Sequence, residues 1–298
     1  MLVVLCTISA AHAEPLRVSI NPTRVEVEVA PGERAVSSFK FWNGTDEYLS
    51  VHLQGEDFAP QGEEGELLVG GPEGAANSLK EWLEPAIPDL NVAPKQQITL
   101  DFAIDVPVDA EPGTHWGTLL VTTQPVAIGN GVAARPKIGL IVLVKVPGQV
   151  REEMALDSFS AVPFAQAPPV TLAARFRNTG TVHDVPAGVF EVRNVLGSIV
   201  ATGTLPARNV LPGTVRKIET QAGEGTWFGR YTAILHPTYA EGRDLPEAAV
   251  TFWIVPWKAY GPWALGLAVL ASYVISRRKR LPAVWHILKT GLPPPKDS

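Results

Sequence analysis

Alternation of apolar and polar residues over short stretches is the feature that most constrains the fold of this 298-residue chain. Between residues 97 and 106, every second residue from Ile98 to Val106 is apolar, a period typical of a half-buried strand. The pattern recurs through residues 16–255 and is interrupted by many of the 26 glycines and 27 prolines. Such frequent turn residues exclude a helical bundle and favour antiparallel sandwiches.

The predicted fold class is all-β, with two tandem immunoglobulin-like β-sandwiches followed by a single C-terminal transmembrane helix. The expected order is a signal peptide (1–13), a first sandwich (14–150), a second sandwich (151–257), a transmembrane helix (258–276) and a basic cytoplasmic tail (277–298). Residues 138–146 are almost continuously apolar, which predicts a central strand that is covered on both faces.

The two ends of the chain indicate export and membrane attachment. Residues 1–11 are apolar, and the small residues of 11–13 match a signal-peptide cleavage site; a first core strand is the alternative. Residues 259–276 carry no charge and are followed by Arg277, Arg278, Lys279 and Arg280. Because basic residues stay on the cytoplasmic side, the body is predicted to lie outside the membrane. A buried helix of a soluble protein is the alternative.

The charge balance excludes several classes of partner. Residues 14–257 contain 18 basic and 29 acidic side chains, a net charge of −11. Because this acidic region repels the phosphate backbone, nucleic acid is not an expected partner. Cys6 is the only cysteine, which leaves the rest of the chain without disulfides or thiolate ligands.

The sequence predicts a protein that is not an enzyme and has no cofactor or metal. Its histidines lack metal-ligand spacing, and no catalytic serine motif is present. Residues 54–93 are rich in glycine and acids, which predicts a long loop with one helical turn at 78–83. Within it, Glu63, Glu64 and Glu66 are interpreted either as calcium ligands or as a solvated acidic segment.

Aromatic residues are the better candidates for a binding site. Asn43-Gly44 predicts a β-hairpin turn, with Trp42 and Tyr48 pointing outward beside it. Asp57 and Trp82 lie in the predicted loop, and aromatic rings with a nearby carboxylate suit a sugar ligand. Alternatively, Trp42 or Trp82 covers the open end of the sandwich. Trp116 and Trp253 lie in strand-like runs and are expected in the core.

Several short motifs, together with the order of the domains, are shared with a known group of proteins. They are Pro31-Gly32-Glu33, Phe41-Trp42-Asn43-Gly44-Thr45, Asp57-Phe58, residues 78–82, residues 106–117 and residues 139–144. In these the chain resembles the WxL-interacting proteins of bacterial cell surfaces. The resemblance implies a first domain associated with peptidoglycan and a second associated with extracellular or host proteins.

The first functional hypothesis is a non-catalytic, membrane-anchored bacterial cell-surface binding protein. Its expected partners are cell-wall glycan, a surface protein and the membrane through one helix. The alternative is a periplasmic or surface assembly factor of chaperone type, which lends an open sheet edge to a partner strand. Such a factor needs an unprotected edge and basic residues that hold the partner's terminus. A spacer that only positions other factors is the third reading.

Overall fold

The computed structural model describes residues 18–70, 77–127 and 133–278. The predicted signal peptide lies outside the described residues, as do Lys279 and Arg280 of the basic tail. The described part is mostly β-sheet, which confirms the predicted all-β class. Two sandwiches, built from residues 18–146 and 154–254, are joined by residues 147–153 and followed by one helix.

The first sandwich packs a four-stranded sheet (β1-β3-β9-β7) on a five-stranded sheet (β2-β13-β10-β4-β8). Its strands are β1 (Val18–Asn21), β2 (Arg24–Glu28), β3 (Arg34–Asn43), β4 (Leu49–Glu56), β5 (Phe58–Gln61), β6 (Glu66–Val69), β7 (Leu83–Pro85), β8 (Asp89–Val92), β9 (Gln97–Asp105), β10 (Gly113–Thr123), β11 (Val126–Ala127), β12 (Ala133–Ala134) and β13 (Lys137–Val146). The chain changes sheets between β1 and β2, so β2 runs parallel to β13 while β1 pairs antiparallel with β3.

The second sandwich packs β14-β16-β19 on a sheet of order β15-β22-β20-β17-β18. Its strands are β14 (Met154–Ala161), β15 (Phe164–Ala165), β16 (Val170–Asn178), β17 (Ala187–Asn194), β18 (Ile199–Thr204), β19 (Val215–Ala222), β20 (Gly229–Tyr239), β21 (Arg243–Asp244) and β22 (Ala248–Ile254). Alternate residues fill each core, with Phe41 and Phe102 fully buried in the first sandwich and Phe176 and Phe190 in the second. Trp253 is 43% exposed, because Phe252 and Ile254 take the inward positions of β22; its expected core position is wrong.

The hairpin expected at Asn43-Gly44 is not formed. β3 and β4, which flank it, belong to opposite sheets, so the turn crosses from one sheet to the other. The buried Asn43 amide donates to the carbonyls of Glu47, Val92 and Ala93, at 2.8 to 3.1 Å. In a hairpin, backbone groups of the two strands would pair with each other. Here the Asn43 side chain pairs with backbone carbonyls instead and so holds the crossing chain in place.

Residues 54–70 and 77–93 contain more regular secondary structure than the predicted loop. They contain a β5–β6 hairpin, a 3₁₀ turn (Lys80–Trp82) and the short strands β7 and β8, which add to opposite sheets. The turn lies within the predicted 78–83 segment, but the backbone around it pairs with β9 and β4. Short strands of this kind lack a clear alternation and so escape pattern analysis.

Helix α1 (Trp257–Arg278) occupies the predicted transmembrane segment and includes the first two basic residues of the tail, Arg277 and Arg278. In the part of the chain that the structure describes, no helix meets the length and mean hydropathy needed to cross a membrane. The membrane anchor therefore stays a prediction.

Candidate functional site

Asp57 and Trp82 make structural contacts in the first sandwich. Asp57 is 9% exposed, and its carboxylate accepts hydrogen bonds from Ser78 Oγ at 2.7 and 2.8 Å. The Trp82 ring lies 4.4 Å from the ring of His115 and packs against the core. These contacts hold residues 78–82 onto the sandwich, so neither side chain extends from a free loop as the sequence suggested.

Trp42 and Tyr48 are exposed, but they lie far from the other two predicted residues. Trp42 pairs with Gln97 of β9, whereas Leu83, next to Trp82, pairs with Ile104 of the same strand. Seven residues of strand separate the two positions by about 23 Å. The four side chains predicted to bind sugar therefore do not form one surface.

Apolar, acidic and basic side chains of both sandwiches meet in a cleft between them. Its floor is a small apolar cluster of Phe58 from β5, Leu143 from β13 and Leu211 from the second sandwich, with Trp116 and Ile141 packed beside it. Leu143 is thus buried on the outer face of β13, while its neighbours Val142 and Val144 face the core. This confirms that β13 is covered on both faces in this region.

The β5–β6 hairpin forms one wall of the cleft and holds the second sandwich. Lys217 N of β19 donates to Glu63 O at 2.8 Å, and Lys217 Nζ contacts Glu64 Oε1 at 3.0 Å. Arg175 donates to both carboxylate oxygens of Glu63, with Nε 2.6 Å from Oε2. The glutamates interpreted as calcium ligands or solvated acids therefore include two that pair with cations of the other sandwich.

The opposite wall joins the sandwiches a second time. Asn209 Nδ2 donates to Glu26 Oε1 at 2.6 Å, and His183 N donates to Thr114 Oγ1 at 2.9 Å. Thr114 N in turn donates to Thr181 O at 2.9 Å. Contacts on two sides fix the orientation of one sandwich relative to the other.

A cavity of about 220 Å³ lies within the cleft and is lined by three arginines. Arg24 begins β2, Arg208 lies in the segment before β19, and Arg216 lies in β19. Apolar side chains of the floor, together with Leu67 and Asn209, complete the lining. The cavity thus combines positive charge with an apolar surface, which suits an anionic group attached to an apolar body.

The polar groups of this cavity are incompletely satisfied. Burial, together with the nearby charges of Arg208 and Arg24, lowers the pKa of Arg216. Among the described residues, Arg216 Nε and Asn209 Oδ1 are buried without a hydrogen-bond partner. Arg24 Nε pairs with Glu26 Oε1 at 3.0 Å, so the described cations without an ion pair in this cavity are Arg208 and Arg216. Unpaired buried polar groups cost free energy unless a ligand satisfies them.

A larger groove of about 600 Å³ beside β4 and β8 differs in this respect. Its principal charged groups pair with each other, since His52 Nδ1 lies 2.8 Å from Asp89 Oδ1. This hydrogen bond raises the pKa of His52. Arg135 also lines the groove, but it is exposed to solvent, whereas Arg216 Nε in the arginine cavity is buried.

An open strand edge adjoins the arginine cavity. β2 pairs with residues 141–145 of β13, and its first residue, Arg24, is opposite Ile141. β13 continues for four more residues, 137–140, alongside which the described residues supply no strand on the β2 side. Ile141 N donates to Thr23 O, so the backbone groups of Gly139 and Lys137 point to the same, open side.

Little in the sequence indicated that these three arginines would form a site. Arg24 precedes a regular alternation, and Arg208 and Arg216 lie almost two hundred residues later. Their grouping depends on how the two sandwiches dock. The one useful indication in the sequence was the group of glutamates at residues 63–66, because Glu63 pairs with Arg175 and Glu64 pairs with Lys217.

Comparisons with known proteins add a similarity of architecture. No protein-family profile matches the chain, and no curated protein matches it. The YadV chaperone is 10% identical, with 79% of this chain and 99% of that chain covered at a TM-score of 0.38. The CupB2 chaperone of Pseudomonas aeruginosa is 10% identical over 79% and 100% of the two chains, at a TM-score of 0.38. A PapD-like domain of human CEP192 is 10% identical over 49% and 98%, at 0.31. At these identities and TM-scores, the similarities carry no functional argument.

Proposed function

We propose that the chain is an assembly factor of chaperone type, which binds an extended segment of a partner protein by β-strand addition to β13. The carrying observation is the open edge at residues 137–140, which ends at the arginine cavity. A partner strand on this edge would continue the line of β2. This is the alternative considered from the sequence, and both features that it requires are present on one side of the molecule.

The edge offers main-chain hydrogen bonds. Backbone N–H and C=O groups of Lys137 and Gly139 face the open side, and two such residues supply two donors and two acceptors. Main-chain pairing gives affinity in strand addition and makes little demand on the partner's sequence. Selectivity has to come from a second contact, which the adjoining cavity supplies.

The cavity suits the terminal carboxylate of the partner segment. Arg24 is the first residue of β2 and lies beside the start of the open edge, with Arg208 and Arg216 lining the same cavity. Guanidinium groups bind carboxylates through paired, charge-assisted hydrogen bonds. Phe58 and Leu143 line the cavity beside them, so an apolar last residue fits better than a polar one.

Amide hydrogen exchange of the full chain tests the proposal. The probe is a short peptide of alternating valine and threonine that ends in a free carboxylate. We expect it to protect the Gly139 and Lys137 amides, which are free on the open edge, while the Leu140 amide, directed towards β10, is protected with or without peptide. Exchange at Gly139 that is unchanged at saturating peptide would contradict the proposal.

Matched variants separate the edge from the cavity. Lys137→Pro removes an edge donor, and Lys137→Ala at the same position removes the charge alone; we expect only the proline to weaken binding, by roughly fivefold for one hydrogen bond of about 1 kcal/mol. Arg208→Ala should weaken binding of the free-acid peptide but not of its amide, whereas Arg230→Ala, outside the cavity, should change neither. Equal affinity for acid and amide would refute the carboxylate contact.

On sequence grounds, we also propose that the protein is located at a bacterial cell surface. Its two sandwiches would lie outside the membrane, and residues 277–298 would lie in the cytoplasm. Protease added to intact spheroplasts should digest the two sandwiches; protection of the body would reverse the orientation. Peptidoglycan contact through the first sandwich has no assembled aromatic surface in support, and sedimentation of the chain with insoluble peptidoglycan would test it.

A further inference from the structure

The end of the second sandwich that lies away from the first carries a group of seven exposed large apolar side chains among the described residues. We call it the distal end and define it by residues 162–169, 195–198, 223–228 and 253–256. Strand register brings these segments together: Asn194 pairs with Tyr231, Gly229 with Ile254, and Phe164 with Trp253. The opposite end holds Thr181, His183 and Asn209, which contact the first sandwich.

Each segment of the distal end presents an apolar side chain to solvent. Leu196 is 86% exposed, Phe164 72% and Phe228 71%. Further exposed members are Val162, Val195, Trp253 and Val255. Isolated exposed apolar residues are ordinary, but a group drawn from four separate segments marks a contact surface.

The four segments of the distal end are also nearly free of charge, and Arg230, opposite Trp253, and Lys258 lie at their borders. Residues 162–169, 195–198 and 253–256 contain no charged side chain, and 223–228 contains only Glu224. This contrasts with the net charge of −11 carried by residues 14–257. A nearly uncharged surface on a protein that is otherwise acidic is suited to contact with an apolar environment.

Helix α1 leaves the sandwich from this end, two residues after β22. Its apolar side chains are exposed around the helix, among them Trp263, Leu265, Leu270 and Ile275, each at least 58% exposed. Trp257 and Tyr260, at its start, are the ring types favoured at the boundary between lipid and water. Exposed apolar side chains are therefore present both on the loops of the sandwich and on the helix that follows them.

We propose that the distal end rests on the surface of a lipid bilayer, with its loop side chains at the level of the headgroups. A protein bound to one side would leave the remaining apolar faces of α1 in water, whereas a bilayer covers the helix and the loops together. The first sandwich, its open β13 edge and the arginine cavity then point away from the membrane. This inference stands on the distal end and on helix α1, and it holds whether or not β13 binds a strand.

An environment-sensitive dye on single cysteines of the full chain tests this arrangement. The dye is attached to Leu196→Cys, and separately to Phe164→Cys, in a Cys6→Ser background; Val36→Cys is the matched control, because Val36 is 71% exposed on β3 of the first sandwich. The chain is reconstituted into phosphatidylcholine vesicles. At 196 and 164 we expect blue-shifted, several-fold brighter emission and quenching by spin-labelled lipid, with neither effect at 36.

Two results would overturn the proposal. The first is a dye at 196 and 164 that remains as accessible to a water-soluble quencher as the dye at 36. The second is shielding that rises with protein concentration and is insensitive to spin-labelled lipid, which would identify a second copy of the chain as the occupant.

Discussion

Arg175 of the second sandwich donates two hydrogen bonds to the carboxylate of Glu63 in the first sandwich, and its Nε lies 2.6 Å from Glu63 Oε2. The adjacent backbone bond from Lys217 N to Glu63 O, at 2.8 Å, adds the hairpin to the edge of β19. One residue of the β5–β6 hairpin thus joins the sandwiches through both its side chain and its backbone.

Glu63→Ala should loosen this joint without unfolding either sandwich. Hydrogen bonding from Arg175 lowers the pKa of Glu63 below its usual value of 4.5, so in the native protein the pair persists as the pH falls through that value and is lost only below it. We expect the Lys217 amide to exchange several-fold faster in the variant at neutral pH. Glu66→Ala, an exposed acid of the same hairpin, is the control and should leave exchange unchanged.

Two buried histidines should make the protein acid-sensitive. Burial lowers the pKa of both His115 and His183 below 6.5, so the unfolded chain takes up protons at a higher pH than the folded one. Their contribution to stability is complete above about pH 6.5 and declines as the pH falls towards the folded pKa. The free energy of unfolding, measured in urea between pH 7 and 5, should fall.

His115→Gln should reduce that decline. Glutamine can still donate to Glu111 O, which His115 Nε2 contacts at 2.9 Å, but it does not titrate. His52→Gln is the control, because the hydrogen bond to Asp89 raises the pKa of His52 and its removal cannot lessen an acid-induced loss. An unchanged pH dependence in His115→Gln would contradict the assignment.

Asn43 and Asn178 should be equally important to the two sandwiches. Asn178 Nδ2 donates to Val182 O and Val210 O, and its Oδ1 accepts from Gly180 N, an arrangement that parallels the bonds of Asn43. Alanine at either position leaves buried carbonyls unsatisfied and should cost about 2–3 kcal/mol of unfolding free energy. Asn91→Ala, an exposed control, should stay within about 0.5 kcal/mol; a comparable loss there would show that the effect is not specific.

Trp82→Ala should destabilise the first sandwich. The ring packs on His115 and on the core, so its loss should cost about 2–4 kcal/mol. Trp42→Ala, at a more exposed position on β3, should stay within about 0.5 kcal/mol. Thermal unfolding of both variants tests the pair, and similar melting temperatures would refute the structural role of Trp82.

The local pattern of residues was sufficient to predict the longer strands, but it missed the short strands of residues 54–93 and did not show which strands pair. The alternation of residues 97–106 predicts β9 because each strand residue reports its own face. The hairpin predicted from Asn43-Gly44 is wrong because the same residue types favour a turn whether the chain returns in one sheet or crosses to the other. The arginine cavity was beyond prediction, since Arg24 and Arg216 meet only through docking of the two sandwiches.

The division of the arginine cavity between the two sandwiches has a consequence for timing. Arg24 belongs to the first sandwich, and Arg208 and Arg216 belong to the second, so neither half alone presents the complete set of cations. A chain that emerges in order from its N-terminus completes Arg24 and β13 well before Arg208 and Arg216. Under the proposed function, only the finished molecule could bind an anionic segment with all three arginines, and a half-made chain would compete poorly for the same target.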